Sequence, residues 1–276
     1  MASPHVTLLS LSVCIGAIVA AFQNDIEAAL DIALHRATYS YCLFIPFISL
    51  ALIHDRRAEL AGLAPRPCLW GVVVGGAAAA AWGSGAWAGI AELRQMAVVL
   101  LLQGAFLALL GWRIYRVLLF PLLYLFLMVP TGGYLLGPLQ SITTWAAAGL
   151  LWLSQIPVSV HGDLVTVPLR TYRIEPACAG LNFLLVALAL SLLYAWLFYR
   201  ATGKRLAAVA LALSLAILAN AVRVYGIIAL AEFTDRRIDL GPQDHLLHGW
   251  VFFSAIILAV MAFGLLFKDR QEAAGR

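Results

Sequence analysis

Long apolar runs separated by short polar segments dominate this chain. A helix needs roughly 18 or more apolar residues to cross a hydrocarbon core of about 30 Å. On that basis the pattern predicts spans at about 6–22, 41–54, 68–88, 95–111, 117–130, 178–199, 206–230 and 246–267. The expected fold is all-α, a polytopic transmembrane helix bundle of about eight spans. The first run, Val6 to Phe22, has the length of a signal peptide but no basic start and no small-residue cleavage site, so it is read as a retained helix.

One apolar run does not fit the alternation. Gly137 to Ile156 is apolar enough to cross, yet a crossing there would move the basic stretch at 200–205 to the opposite side. It is therefore read as an amphipathic or re-entrant element on the outer surface, with Gln140, Thr143 and Thr144 toward polar surroundings. From Ser159 to Pro176 polar and β-branched residues alternate, which predicts a short extracytoplasmic hairpin leading to the next span. The chain is thus expected to be one integral-membrane domain, 1–276, with an extracytoplasmic amphipathic and hairpin segment at 131–177 and a helical segment at 178–267.

Composition agrees with lipid as the solvent: 63% of residues are hydrophobic and 12% charged. Charge adds an orientation. Segments 55–67, 112–116 and 200–205, with the tail from 268, hold 11 of the 18 Lys and Arg residues against four acids, whereas the remaining segments hold seven basic and ten acidic residues. Basic loops stay in the cytoplasm, so these segments and both termini are expected inside. The same bias explains the net charge of +4, and no nucleic-acid partner is expected. No phosphate-binding loop, dinucleotide fingerprint or zinc-protease motif occurs. Four cysteines stand singly without CxxC spacing, which suggests neither a disulfide framework nor a zinc cage. Cys14, Cys42 and Cys68 read as small buried hydrophobes. Trp145, Trp152 and Trp250 read as an interfacial aromatic belt, Arg94, Arg236 and Arg237 as arginines snorkelling to headgroups, and His35 as solvated.

Cys178 differs from the other cysteines. In EPACAGLN, Glu175 to Asn182, it stands at the mouth of a long apolar helix, where the helix dipole and unpaired backbone N–H groups favour a thiolate. Arg223 lies 17 residues along the helix that starts near Leu206, roughly 26 Å at 1.5 Å per residue, with Asn220 three residues earlier on the same face. His245 opens the last span. Parity brings Cys178, Arg223 and His245 to one depth on three consecutive helices, facing outward. Those residue types suit acyl transfer: a thiolate attacks a carbonyl, a histidine moves the proton, and an arginine stabilises the oxyanion. Asp244 is placed to orient His245. His245 and His248 share a face, but no third ligand is fixed by spacing, so no metal or cofactor is expected.

The three motifs EPACAGLN, NAVR (Asn220 to Arg223) and DHLLHGW (Asp244 to Trp250), in this order on consecutive spans, closely resemble those of the exosortases. YSYCLFIPFISLALI from Tyr39 and FPLLYLFLMVP ending at Pro130 are also similar to family segments. The resemblance implies a multi-pass cysteine transpeptidase or protease of the bacterial inner membrane, its site facing the periplasm. Its partners would be exported proteins bearing a C-terminal sorting tail, made of a Pro-Glu-Pro-like motif, a transmembrane helix and a basic cluster. Membrane lipids and an amine-bearing acceptor would be further partners. It implies Cys178 as nucleophile, Arg223 as the essential arginine and His245 as the catalytic histidine, preferred over His248 because the family histidine precedes the Gly-Trp pair by several residues. Asn182, Asn220, Asp244 and His248 are candidate supporting residues. Two departures stand out: Ala179 and Asn182 occupy positions where the family often has Ser and Arg. Absence of that arginine removes a possible contact to a substrate carboxylate. Two other functions fit the residues: a cysteine protease with water as acceptor, and a non-enzymatic membrane component of exopolysaccharide assembly or export.

Overall fold

The computed structural model describes residues 4–234 and Leu258. The expected span at 246–267, apart from Leu258, and with it Asp244, His245, His248 and Trp250, lies outside the described residues, as do Arg236 and Arg237. The helices are α1 (Pro4–Ala21), α2 (Gln23–His35), α3 (Ile45–Asp55), α4 (Arg57–Ala61), α5 (Leu69–Ala88), α6 (Ala91–Leu110), α7 (Trp112–Val117), α8 (Leu119–Tyr124), α9 (Leu136–Leu153), α10 (Leu181–Phe198) and α11 (Thr202–Thr234). Three short strands, β1 (Ser159–His161), β2 (Leu164–Thr166) and β3 (Thr171–Arg173), lie between α9 and α10.

The protein is a largely helical, polytopic membrane protein. Among the described residues five helical segments are long and apolar enough to cross a bilayer: Ala37–Asp55, Leu69–Ala88, Ala91–Leu110, Pro176–Phe198 and Thr202–Phe233. Two broken pairs, Val6–Ala21 with Gln23–His35 and Leu119–Met128 with Gly133–Leu153, raise the number to seven if each pair makes one span. The five single segments correspond to the runs expected from 41, 68, 95, 178 and 206. The runs expected from 6 and 117 are each only the first half of a broken pair. The chain divides into two compact units, Met1–Thr131 and Gly132–Arg276.

In the first unit, α5 and α6 form a hairpin whose backbones approach closely. A Cβ on Gly71 would fall 2.1 Å from the backbone nitrogen of Ala108, and one on Gly104 would fall 2.9 Å from Gly71 O. Small residues permit such contact in a membrane, where helix association rests on packing rather than on expulsion of water. Leu11 of α1 joins Leu107 and Leu110 of α6, Ile114, Leu118 and Leu122 in a buried cluster. The segment after α1, expected to be a loop, is instead the helix α2, bent by 75° from α1. Its Asp25 is buried and meets two other helices: Arg94 Nε lies 3.0 Å from one carboxylate oxygen and Trp82 Nε1 donates to the other at 2.8 Å. Arg94 therefore does not snorkel as expected. A buried carboxylate needs a partner, and the Asp25 charge holds this arginine in the protein. His35 at the end of α2 is exposed, as its polar neighbours imply.

In the second unit, α9 and α10 pack on α11. The expected surface element at 137–156 is an 18-residue helix with Thr143 and Thr144 buried at 1% and 0% exposure, not turned toward polar surroundings. Their hydroxyls need no solvent: Thr144 donates to Gln140 O of its own helix at 2.8 Å, and Thr143 finds partners on other segments. The expected hairpin at 159–176 is an antiparallel three-stranded meander, β1-β2-β3, with Val165 paired to Val160 on one side and to Tyr172 on the other. Val165, Val167 and Ile174 from this region bury against Leu151 of α9 and Val224 and Ile228 of α11, and Cys178 packs on the edge of that cluster. Leu169 N donates to Glu232 Oε1 at 3.1 Å, tying the β2–β3 turn to α11 near its C-terminal end. Trp145 and Trp152 are exposed on α9, at 64% and 71%.

Candidate functional site

The segment before α10 is shaped by two residues. Pro176 supplies the fixed φ that favours the first position of a helical turn. It opens the single 3₁₀ turn Pro176–Cys178, closed by Cys178 N donating to Glu175 O at 2.8 Å and Ala179 N donating to Pro176 O at 3.1 Å. Gly180 then adopts φ +83, a left-handed conformation that side chains with a Cβ seldom take, and α10 begins at Leu181. Cys178 therefore precedes the helix by three residues and is not inside its first turn as expected. The turn still adjoins the end of α10 where the dipole is positive.

Asn220 of α11 holds this turn in place. It is 2% exposed, and its Nδ2 donates to Cys178 O at 2.9 Å and to Thr143 Oγ1 at 3.0 Å. The Cys178 carbonyl can only accept, so the amide must face it with its NH2 group, which fixes the rotamer. Thr143 Oγ1 in turn lies 3.4 Å from Ala179 O. A continuous chain of donors thus runs from Asn220 to the two successive carbonyls of Cys178 and Ala179. The packing is close: a Cβ on Gly180 would fall 2.6 Å from Asn220 Cγ and 2.7 Å from its Nδ2.

Arg223 stands three residues after Asn220, one turn farther along α11 on the same face. Its guanidinium carbon lies 5.2 Å from the centroid of the Phe183 ring of α10, a cation–π contact that restrains the head group. It is also within electrostatic reach of Cys178. Its Nε is buried with no hydrogen-bond partner, and so is Asn220 Oδ1. Buried polar atoms left unpaired are costly and rare, so each calls for an explanation, a catalytic role among them. Here one donor and one acceptor stand unpaired on the same helical face, next to a half-buried thiol.

Of the residues expected from sequence, the structure brings together Cys178, Asn220 and Arg223. Asn182 is second in α10 and half-buried. Asp244, His245 and His248 lie outside the described residues. Two contributors were missed. Phe183 offered no signal, being one apolar residue among many in α10. Thr143 offered one, since a threonine pair in an apolar run is unusual, but its polarity pointed equally to solvent or to a buried partner. The other cysteines sit in apolar surroundings: Cys42 is 3% exposed and borders a cavity of about 500 Å³ walled by side chains such as Leu43, Phe47 and Val98, while Cys14 and Cys68 pack on the Leu11 cluster. Among the described residues no three His, Cys, Asp or Glu side chains converge as a metal site would require.

A family model described as transmembrane exosortase (Exosortase_EpsH) matches residues 33–262. No curated protein and no solved structure matches the chain. The matched range covers most of the sequence, reaches into both compact units, and contains Cys178, Asn220 and Arg223 together with Asp244, His245 and His248. The chain belongs to the transmembrane exosortase family.

Proposed function

We propose that this membrane protein is a cysteine transpeptidase that cleaves the C-terminal sorting tail of exported proteins at the periplasmic face of the inner membrane. Support comes chiefly from one observation: Arg223, 45 residues from Cys178 in sequence, lies within electrostatic reach of it with a buried Nε that has no partner. An arginine so held is prepared to meet an oxyanion that forms only during reaction.

In the proposed sequence, the tail's apolar helix docks among the spans and leaves its scissile peptide bond beside Cys178. The thiol proton passes to His245 as Sγ attacks the carbonyl carbon, and Arg223 donates to the resulting oxyanion. The C–N bond then breaks, the leaving amine takes the proton from His245, and an acyl thioester remains on Cys178. An amine of the acceptor, or water, attacks the thioester, and the thiolate leaves and is reprotonated. The acceptor decides between transfer and hydrolysis.

The test uses an exported reporter ending in a Pro-Glu-Pro motif, an apolar helix and a basic cluster, co-expressed with the full-length protein. Wild type should shorten the reporter, whereas Cys178→Ala should insert into the membrane normally and leave it intact. Mass spectrometry of the shortened product separates an added amine from a free carboxylate. Processing by Cys178→Ala at the wild-type rate would overturn the proposal.

A further inference from the structure

We infer that Thr143 of α9 is a positioning residue for the cysteine turn, acting through Asn220 to set where the Cys178 thiol stands. This deepens the proposed function and rests on it for its catalytic meaning, but its geometry is independent of that function. Thr143 is 1% exposed, and its hydroxyl is committed on both sides. It accepts from Asn220 Nδ2 at 3.0 Å and faces Ala179 O at 3.4 Å as donor. The same Asn220 amide gives its other hydrogen to Cys178 O at 2.9 Å. A primary amide has two N–H groups and a hydroxyl has one O–H, so these three contacts use every donor the pair possesses.

The consequence lies in the backbone. Cys178 and Ala179 end a one-turn 3₁₀ segment between an exposed Pro176 and the left-handed Gly180, a stretch with few hydrogen bonds of its own. Their carbonyls are tied to α9 and α11 by side chains alone. Without the Thr143 hydroxyl, Ala179 O loses a donor and one Asn220 N–H loses its acceptor, so the amide is free to rotate away from Cys178 O. Sub-ångström placement of a reacting group governs rate, and a turn held from two helices is better fixed than one held by its own chain.

Thr144 provides an internal control. It is the next residue on the same helix, is equally buried, and returns its hydroxyl to Gln140 O of its own helix, with no contact to the turn. Thr→Val at either position removes one hydroxyl with little change of shape.

The experiment compares wild type, Thr143→Val, Thr143→Ser and Thr144→Val, each as the full chain in a background with Cys14, Cys42 and Cys68 replaced by Ala. The rate of Cys178 alkylation by a small maleimide is followed from pH 6 to 10, alongside thermal unfolding. Thr143→Val is expected to change the alkylation rate at least threefold and to move its pH midpoint. Thr143→Ser and Thr144→Val should stay within twofold of wild type. Equal profiles for Thr143→Val and wild type would overturn the inference, and so would an equal change in Thr144→Val, which would mark a general loosening of α9. Because alkylation reads the turn and not the reaction, this result is separate from the Cys178→Ala processing test: either can fail while the other stands.

Discussion

Gly180→Ala should be among the most damaging single-methyl changes in the second unit. The new Cβ faces two separate penalties. A residue with a Cβ held at φ +83 costs roughly 1–2 kcal/mol in left-handed strain. The Cβ also falls 2.6 Å from Asn220 Cγ and 2.9 Å from Asn220 Cβ, contacts that real structures do not tolerate, so Asn220 must move. Moving it breaks the donations to Cys178 O and Thr143 Oγ1. Two such bonds, with buried partners left unpaired, are worth about 1–3 kcal/mol together, the lower end being typical between helices in membranes. The sum is about 2–5 kcal/mol. A double-mutant cycle separates the parts. In an Asn220→Ala background both hydrogen bonds and the contacts to Cγ and Nδ2 are already gone and only the 2.9 Å approach to Cβ remains, so Gly180→Ala should then cost the strain of about 1–2 kcal/mol and the relief of that one contact. The assay is SDS-driven unfolding of the detergent-solubilised protein followed by circular dichroism, with Cys178 alkylation as a local reporter. A Gly180→Ala cost below about 1 kcal/mol, or strict additivity with Asn220→Ala, would show that the close approach does not bind the turn to α11.

Two further changes test the first unit by the same unfolding assay. Arg94→Leu should destabilise by about 3–5 kcal/mol, because it strands a buried carboxylate. Asp25→Asn should cost less than half as much, since Arg94 is about one-third exposed and can turn to headgroups, while the new amide oxygen still accepts from Trp82. Equal costs would refute this asymmetry. Gly71→Ala should cost about 1–3 kcal/mol, as its Cβ meets the Ala108 backbone and forces α5 from α6, whereas Gly76→Ala, with nothing within 4 Å of its Cβ, should lie within about 0.5 kcal/mol of wild type. A neutral Gly71→Ala would mean that the two helices do not depend on this contact.

What could be read from the amino acids alone follows from the bilayer. Lipid cannot satisfy backbone polar groups, so any long apolar run must fold its hydrogen bonds internally, and among the described residues five runs appear as helical segments close to their expected limits. The break in the chain around Cys178 was legible for a local reason: Pro176 has a fixed φ and Gly180 can take the left-handed conformation that other residues avoid. Polar residues inside or beside apolar runs were not legible in the same way. The segment 23–35 falls between the apolar runs and read as a loop, yet it is helical, and its Asp25 is met by Arg94 of α6 and Trp82 of α5. Thr143 and Thr144 read as solvent-facing and are buried, one bonded to its own helix and the other to Asn220 from 77 residues away. Arg94 read as a snorkelling side chain for the same reason. A polar group in an apolar segment must find a partner, and sequence shows the need. Whether water, headgroup or another helix meets it depends on which elements are neighbours in space, and only the tertiary structure decides that.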